Sequence, residues 1–171
     1  MRAPYWISSL GLLALIATQP GVAETSLRQK TLEKLRASRP SDLVVLDQRE
    51  VGGTYTLGIF AVQNDPADPA LRRYKLWRES PDNLVIPTES VSCSQIEPLR
   101  VTRDQNAIYL NRLNPGGLIT PVNRENHLVW WAACVPEVAG NDPSMLKEKA
   151  KELGFSTLQV ESQEILRLPS P

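Results

Sequence analysis

The stretch of sequence that decides the fold is His127-Leu-Val-Trp-Trp-Ala-Ala-Cys-Val135, the most apolar run downstream of residue 23. Apolar side chains occupy both its odd and its even positions, which is typical of a strand buried on both faces. The pattern therefore predicts the central strand of a sheet. Neighbouring strand residues point to opposite faces, so one of Trp130 and Trp131 would lie in the core. The other would be covered by a helix or would bind a sugar, a peptide or a partner protein, and Trp131 is our candidate for that role.

Strand patterns precede this run in quick succession. Residues 54–62 place Tyr55, Leu57 and Ile59 on one face, with alternating side chains on the other. A strong turn follows at residues 114–117, where Pro fixes one φ angle and two Gly residues permit positive ones. These short strands indicate a mainly antiparallel sheet. The other predicted strands are residues 43–46, 73–78, 91–101 and 107–110.

Helix signals flank the strands. Residues 25–38 form a helical pattern that a following proline ends. Near the other end of the chain, Asp142 is placed to cap a helix that Gly154 would end in a left-handed conformation. A mostly polar edge strand is predicted at residues 157–168. The predicted fold class is α+β: a mainly antiparallel sheet with an N-terminal helix and a C-terminal strand-helix-strand unit. The buried face of the second helix would carry Leu146, Ala150 and Leu153.

The N-terminus has the pattern of a secretory signal peptide over residues 1–23. Arg2 supplies the positive charge, residues 6–18 are apolar, and Gly21-Val22-Ala23 offers the small residues of a cleavage site. An apolar helix of this length spans about 20 Å, short of the roughly 30 Å core of a bilayer. Residues 24–171 would then form a single exported globular domain with no stable transmembrane segment. An uncleaved N-terminal anchor is the competing interpretation.

Export bears on the two cysteines. In an oxidising compartment Cys93 and Cys134 are expected to form a disulfide. The expected location is the periplasm or the extracellular space. In a source with internal photosynthetic membranes the thylakoid lumen is an alternative.

Composition narrows the functional classes. The chain has 19 Lys and Arg residues, 19 Asp and Glu residues and one His. A net charge of zero argues against binding to nucleic acid through overall electrostatic attraction. A single His excludes zinc sites and protease motifs that need two imidazoles. Without a glycine-rich phosphate loop or a paired-cysteine motif, the sequence predicts no cofactor and no metal site.

Cys93 and His127 are the candidate catalytic residues of one enzymatic hypothesis. An exported Cys-His hydrolase would use Cys93 as the thiolate and His127 as the base, with Asn126 or Asp104 to orient the imidazole. A lone His on an apolar strand is more often structural, and a second Cys is present to oxidise the thiol. The hydrolase is therefore our alternative hypothesis.

Trp77 lies in a basic strand beside Arg73 and Lys75. Alternation places the three side chains on one face, whose composition favours solvent, so the indole ring is expected to be partly exposed. Exposed Trp and Arg side chains are enriched at binding hot spots. The leading hypothesis is a non-catalytic exported domain that binds or scaffolds another cell-envelope component, either a protein or an envelope polymer. The proposed binding residues are Trp77, Arg73, Lys75 and Trp131.

Overall fold

The computed structural model describes residues 20–169 of the chain. The predicted signal peptide therefore lies outside the described residues, apart from residues 20–23, which form the start of the first helix. Among the residues that are described, no helix is both long enough and apolar enough to cross a membrane.

Among the described residues a long helix is followed by a series of strands, then by a second helix and a short helical region before the last strand. The elements are α1 (Pro20–Ala37), β1 (Val44–Glu50), β2 (Thr54–Asn64), β3 (Leu71–Ser80), β4 (Asn83–Val85), β5 (Thr88–Ser92), β6 (Leu99–Arg103), β7 (Ala107–Arg112), α2 (Arg124–Cys134), α3 (Lys147–Glu152) and β8 (Ser162–Arg167).

The strands form one eight-stranded sheet in the order β1-β2-β3-β5-β6-β7-β8, with β4 paired to β3. All of the pairings are antiparallel. Strand order follows chain order because short connections join most strands to their neighbours, whereas the connection from β7 to β8 is long and contains α2 and α3. The predicted α+β class with a mainly antiparallel sheet is confirmed.

The predicted central strand at residues 127–135 is wrong, because this segment lies in helix α2. The run is apolar on every side because the helix is buried all round, with seven consecutive buried residues from His127 to Ala133. A short apolar run has the same pattern in a buried strand and in a buried helix. Glu125 in the first turn favours the helix, since a negative charge there complements the helix dipole.

The sheet lies against α2, which contacts β1, β2, β3, β5 and β6. Two irregularities interrupt the strand pairing near α2. One lies at residues 45–47 of β1, in its pairing with β2, and the other at residues 60–63 of β2, in its pairing with β3. Ala61 in the second irregularity has a φ of 51°, a left-handed conformation unusual for a residue with a side chain. Such bulges bend strands and increase their twist. They therefore help β1 and β2 to follow the surface of the helix.

The side of α2 away from the sheet is covered by the segment that precedes β8. Asp142 accepts a hydrogen bond from the Ser144 amide at 2.9 Å and caps a 3₁₀ turn, Pro143–Met145, which comes before α3. The predicted single helix is thus two shorter elements. Gly154 ends α3 with a φ of 85°, as the sequence predicted. Phe155 then packs edge-on against Trp130, with 5.2 Å between the ring centroids.

A disulfide joins the C-terminal residue of α2 to the segment that follows β5. The sulfur atoms of Cys93 and Cys134 are 2.02 Å apart and their Cα atoms are 5.4 Å apart, so the predicted bond is present. Next to it, the Trp130 indole donates a hydrogen bond to the Ser92 carbonyl at 2.8 Å. The helix is therefore fixed to the sheet at this end by a covalent bond and a buried hydrogen bond.

Replacing both cysteines by alanine is expected to lower the free energy of unfolding by about 4 kcal/mol. The chain-entropy model gives this value for a loop of about 42 residues, because the bond restricts the unfolded chain. Urea unfolding of the oxidised protein and of the double variant measures the difference. A difference below about 1 kcal/mol would show that the bond contributes little to stability.

Candidate functional site

The predicted exposure of Trp77 is wrong, since its side chain is 1% exposed. The strand alternation was right, because Trp77 shares the face of β3 that carries Lys75, away from α2. The end of α1 and the residues after it cover that face at this point. The Arg39 guanidinium lies 5.7 Å from the indole centroid, and the indole nitrogen donates a hydrogen bond to Glu79 at 3.0 Å. The ring is part of the packing under α1.

The Glu79 carboxylate holds the end of α1 in place. It is 6% exposed and forms ion pairs with Arg36 at 3.1 Å and Arg39 at 2.8 Å. Arg36 also donates hydrogen bonds to the carbonyls of Ser80 and Pro81. The charge is buried but well paired, so α1 stays attached over Trp77.

The remaining predicted binding residues do not come together in one place. Trp131 is 1% exposed and packs edge-on against Trp130 inside α2. The structure therefore contradicts an exposed position for Trp131, because residue 131 lies on a helix that is covered on all sides. Arg73 and Lys75 are exposed on the outer face of the sheet, where Arg73 pairs with Asp65 at 2.8 Å.

Cys93 and His127, the residues of the alternative hydrolase, are both engaged elsewhere. Cys93 is in the disulfide and has no thiolate to offer. His127 is fully buried, and its Nε2 atom lies 2.6 Å from a Glu161 carboxylate oxygen. Glu161 also accepts hydrogen bonds from the Asn114 backbone and the Asn123 side chain. His127 therefore serves to hold the segment before β8 against the start of α2.

A concave surface lies beside the N-terminal half of α2, between that helix and strands β1 to β3. It has a volume of about 870 Å³, with apolar side chains in its wall and charged side chains around its edge. We call it the apolar-lined cleft. Its apolar lining consists of Val51, Tyr55, Leu57, Ile119, Pro121 and Leu128.

Charges at the edge of this cleft pair with one another. Asp47 lies between two arginines, at 2.6 Å from Arg49 and 3.6 Å from Arg124. Arg124 also lies 3.8 Å from Asp142, so the cap of the 3₁₀ turn belongs to the same edge. Hydrogen bonds from Ser144 lower the pKa of Asp142, with a smaller contribution from Arg124. The edge therefore presents both signs of charge around an apolar surface.

A buried arginine forms a hydrogen-bonded network next to this cleft. Arg100 is 1% exposed and donates to Glu89 at 2.8 Å, to Glu125 at 3.1 Å and to Asn126 at 2.8 Å. Burial disfavours its charge, but the interactions with Tyr74, Glu89 and Glu125 outweigh burial and raise the pKa of Arg100. Tyr74 donates to the same Glu89 oxygen at 2.8 Å, and burial is the main reason that the pKa of Tyr74 is well above its ordinary value of 10.0. The network fixes the side chains around it.

Arg100 forms part of the wall of a second cleft, which has a volume of about 670 Å³. We call it the amide-lined cleft, because four amide side chains line it. It shares Arg78 and Glu125 with the apolar-lined cleft, and an ion pair joins these two residues. The two clefts are therefore neighbouring halves of one groove with different chemistry. The four amide residues are Gln105, Asn111, Asn126 and Gln163.

Sequence patterns did not predict that the residues of this groove lie together. Glu89, Arg100 and Asn111 each occupy a strand position that faces α2, and Arg100 is the direct partner of Asn111 in the sheet. Alternation within each strand shows which residues share a face. It does not show which strands are neighbours, so the sequence offered no signal that these side chains meet.

Within residues 20–169 no group of three or more His, Cys, Asp or Glu side chains is arranged to hold a metal ion. Comparisons of the chain with protein-family models, curated proteins and solved structures found no match. What the clefts bind is therefore inferred from their own residues.

Trp77→Ala is expected to lower the free energy of unfolding by about 3 to 5 kcal/mol, as is usual when a large buried aromatic side chain is removed. Lys75→Ala, a change on the same strand face at an exposed position, should alter it by less than about 0.5 kcal/mol. Thermal and urea unfolding compare the two variants. Equal effects would mean that the indole ring is not buried under α1.

Glu161→Gln is expected to destabilise the protein at neutral pH and to make less difference as the pH falls. Burial raises the pKa of Glu161, but hydrogen bonds from His127, Asn114 and Asn123 outweigh burial and lower it below 4.5. A carboxylate with a lowered pKa stabilises the fold above its unfolded pKa and loses that effect as the pH falls through the folded pKa. Urea unfolding from pH 7 down to about pH 3 measures the change.

Glu164→Gln is the matched control, because Glu164 lies on β8 with its side chain 55% exposed. It should change stability little at any pH. If the destabilisation by Glu161→Gln were the same at every pH, the ionised form of Glu161 would not be the stabilising one.

Proposed function

We propose that this chain is an exported, non-catalytic module that holds a segment of another envelope protein in the apolar-lined cleft. The observation that carries the proposal is a set of exposed apolar side chains that flank lining residues of this cleft in the sequence. Leu118, Val122 and Met145 are 81%, 92% and 79% exposed, and each is adjacent in sequence to a lining residue. Clusters of exposed apolar side chains are typical of interaction sites.

The composition of the cleft favours a protein as its occupant. Tyr, Met and Arg are enriched in protein interfaces, and Tyr55, Met145 and Arg124 lie in or beside this cleft. Its edge carries both signs of charge, so a complementary segment would present apolar side chains flanked by acidic and basic residues. The opposed charges would fix the direction in which the segment lies and would disfavour partners with only one sign.

Export is supported by the disulfide between Cys93 and Cys134. Disulfides persist in the periplasm and in the extracellular space, whereas cytosolic reductants keep thiols reduced. The leader-like pattern of residues 1–23 points in the same direction. A non-catalytic role is supported by the state of the two residues that a hydrolase would need, since one is oxidised and the other is buried against Glu161.

A photo-crosslinking amino acid at residue 122 is expected to attach to one envelope protein of the source cells, which mass spectrometry of the adduct identifies. The physical reason is that Val122 is 92% exposed beside the apolar lining and would lie against a bound segment. Tyr55→Asp should abolish the adduct, because a second negative charge beside Asp47 would disfavour an apolar side chain in the cleft.

Residue 96 is the matched control for the crosslinker, since Ile96 is an aliphatic residue of almost the same exposure, 90%, in the loop between β5 and β6. The same crosslinker at residue 96 should not capture the protein found at residue 122. Equal capture at both positions, or capture that Tyr55→Asp leaves unchanged, would reject the cleft as the binding site.

A further inference from the structure

The amide-lined cleft has features of a second, separate ligand site. We propose that it binds a neutral saccharide, recognised through its hydroxyl groups. The site differs from the apolar-lined cleft, and this inference does not depend on the protein-binding function proposed for that cleft. Its volume of about 670 Å³ lies within the range of about 300 to 1,000 Å³ that is usual for small-molecule sites.

The charges that line this cleft are balanced. Anionic polymers are held by clusters of cations whose charge is not neutralised nearby. Here Arg100 and Arg78 both pair with Glu125, and Arg100 pairs with Glu89 as well. The surface therefore offers polar groups without a net field, which suits an uncharged ligand. The lining charges are Arg78, Arg100 and Arg103 against Glu89, Asp104 and Glu125.

The amide side chains offer both donors and acceptors. Gln163 donates through its nitrogen to Asn111 at 2.8 Å, so among the described residues its carbonyl oxygen has no partner within the protein. Asn126 accepts from Arg100 through its oxygen at 2.8 Å, and within the same part of the chain its NH₂ group has none. A sugar hydroxyl donates one hydrogen bond and accepts others. An acceptor and a donor on two residues that line the same cleft match that requirement.

The side chains of the cleft are held before any ligand arrives. Arg100 fixes the orientation of Asn126, and Asn111 donates to the Arg100 carbonyl at 3.3 Å. Tyr109 lines the cleft, and its hydroxyl donates to Asp104 at 2.7 Å. A fixed aromatic ring offers an apolar surface to the C–H groups of a sugar while its hydroxyl stays bonded. Preorganised side chains lose less entropy when they bind a ligand.

The test is a titration of the ¹⁵N-labelled, disulfide-bonded protein with soluble oligosaccharides at millimolar concentration. The neutral probes are maltohexaose, cellohexaose, xylohexaose and chitohexaose, and the anionic probe is hexagalacturonate. At least one neutral probe is expected to shift the side-chain amide resonances of Asn126 and Gln163, whereas hexagalacturonate should leave them unchanged. No shift with any neutral probe, or a shift with hexagalacturonate alone, would overturn the proposal.

Variants connect binding to the cleft. Gln163→Ala and Tyr109→Ala should each weaken the affinity for the active probe by about threefold to tenfold, the range expected for one lost hydrogen bond or ring contact. Gln163 is exposed on the edge strand and bonds only to Asn111 among the side chains of the cleft, so its removal leaves the ion pairs of Arg100 with Glu89 and Glu125 intact. Gln63→Ala, an exposed glutamine outside the cleft, is the matched control. Unchanged affinity in both cleft variants, with normal melting temperatures, would overturn the assignment.

Discussion

Helix α2 is buried from His127 to Ala133, and the rest of the structure is arranged to cover it. Trp130 and Trp131 supply the largest part of this buried surface, since each indole removes about 200 Å² from water, or about 5 kcal/mol at about 25 cal/mol per Å². A helix that is apolar on all sides needs cover on all sides. The sheet provides one side, and α3 with Phe155 provides the other. The disulfide prevents the helix from leaving the sheet at its C-terminal end.

Covering α2 in this way also creates the groove. The N-terminal half of the helix carries Arg124, Glu125 and Asn126 above the sheet, where polar residues replace the apolar core. Strand residues that face the helix at this level include Arg78 and Arg100, and both pair with Glu125. The apolar-lined cleft and the amide-lined cleft therefore meet at one boundary, the ion pair between Arg78 and Glu125.

Several features of the fold followed from local patterns. Proline and glycine positions and strand alternation were enough to indicate the antiparallel sheet, and the Asp142 cap and the Gly154 turn are local in origin. The N-terminal helix followed for the same reason. The prediction of a strand at residues 127–135 failed because the apolar pattern of this segment has no period that separates a buried helix from a buried strand. The prediction that Trp77 is exposed failed because alternation assigns a residue to one face of a strand but does not reveal what covers that face.

The sequence by itself determined the class of fold, which depends on local backbone preferences. It also determined the pairing of Cys93 with Cys134, because two cysteines in an oxidising compartment allow one intramolecular bond. Tertiary structure alone decided which surfaces could bind a ligand. Arg100 meets Glu125 and Asn126 across 25 and 26 residues of chain. No local pattern encodes such a meeting, because it arises only when the sheet closes over α2 and brings distant strands and the helix start together.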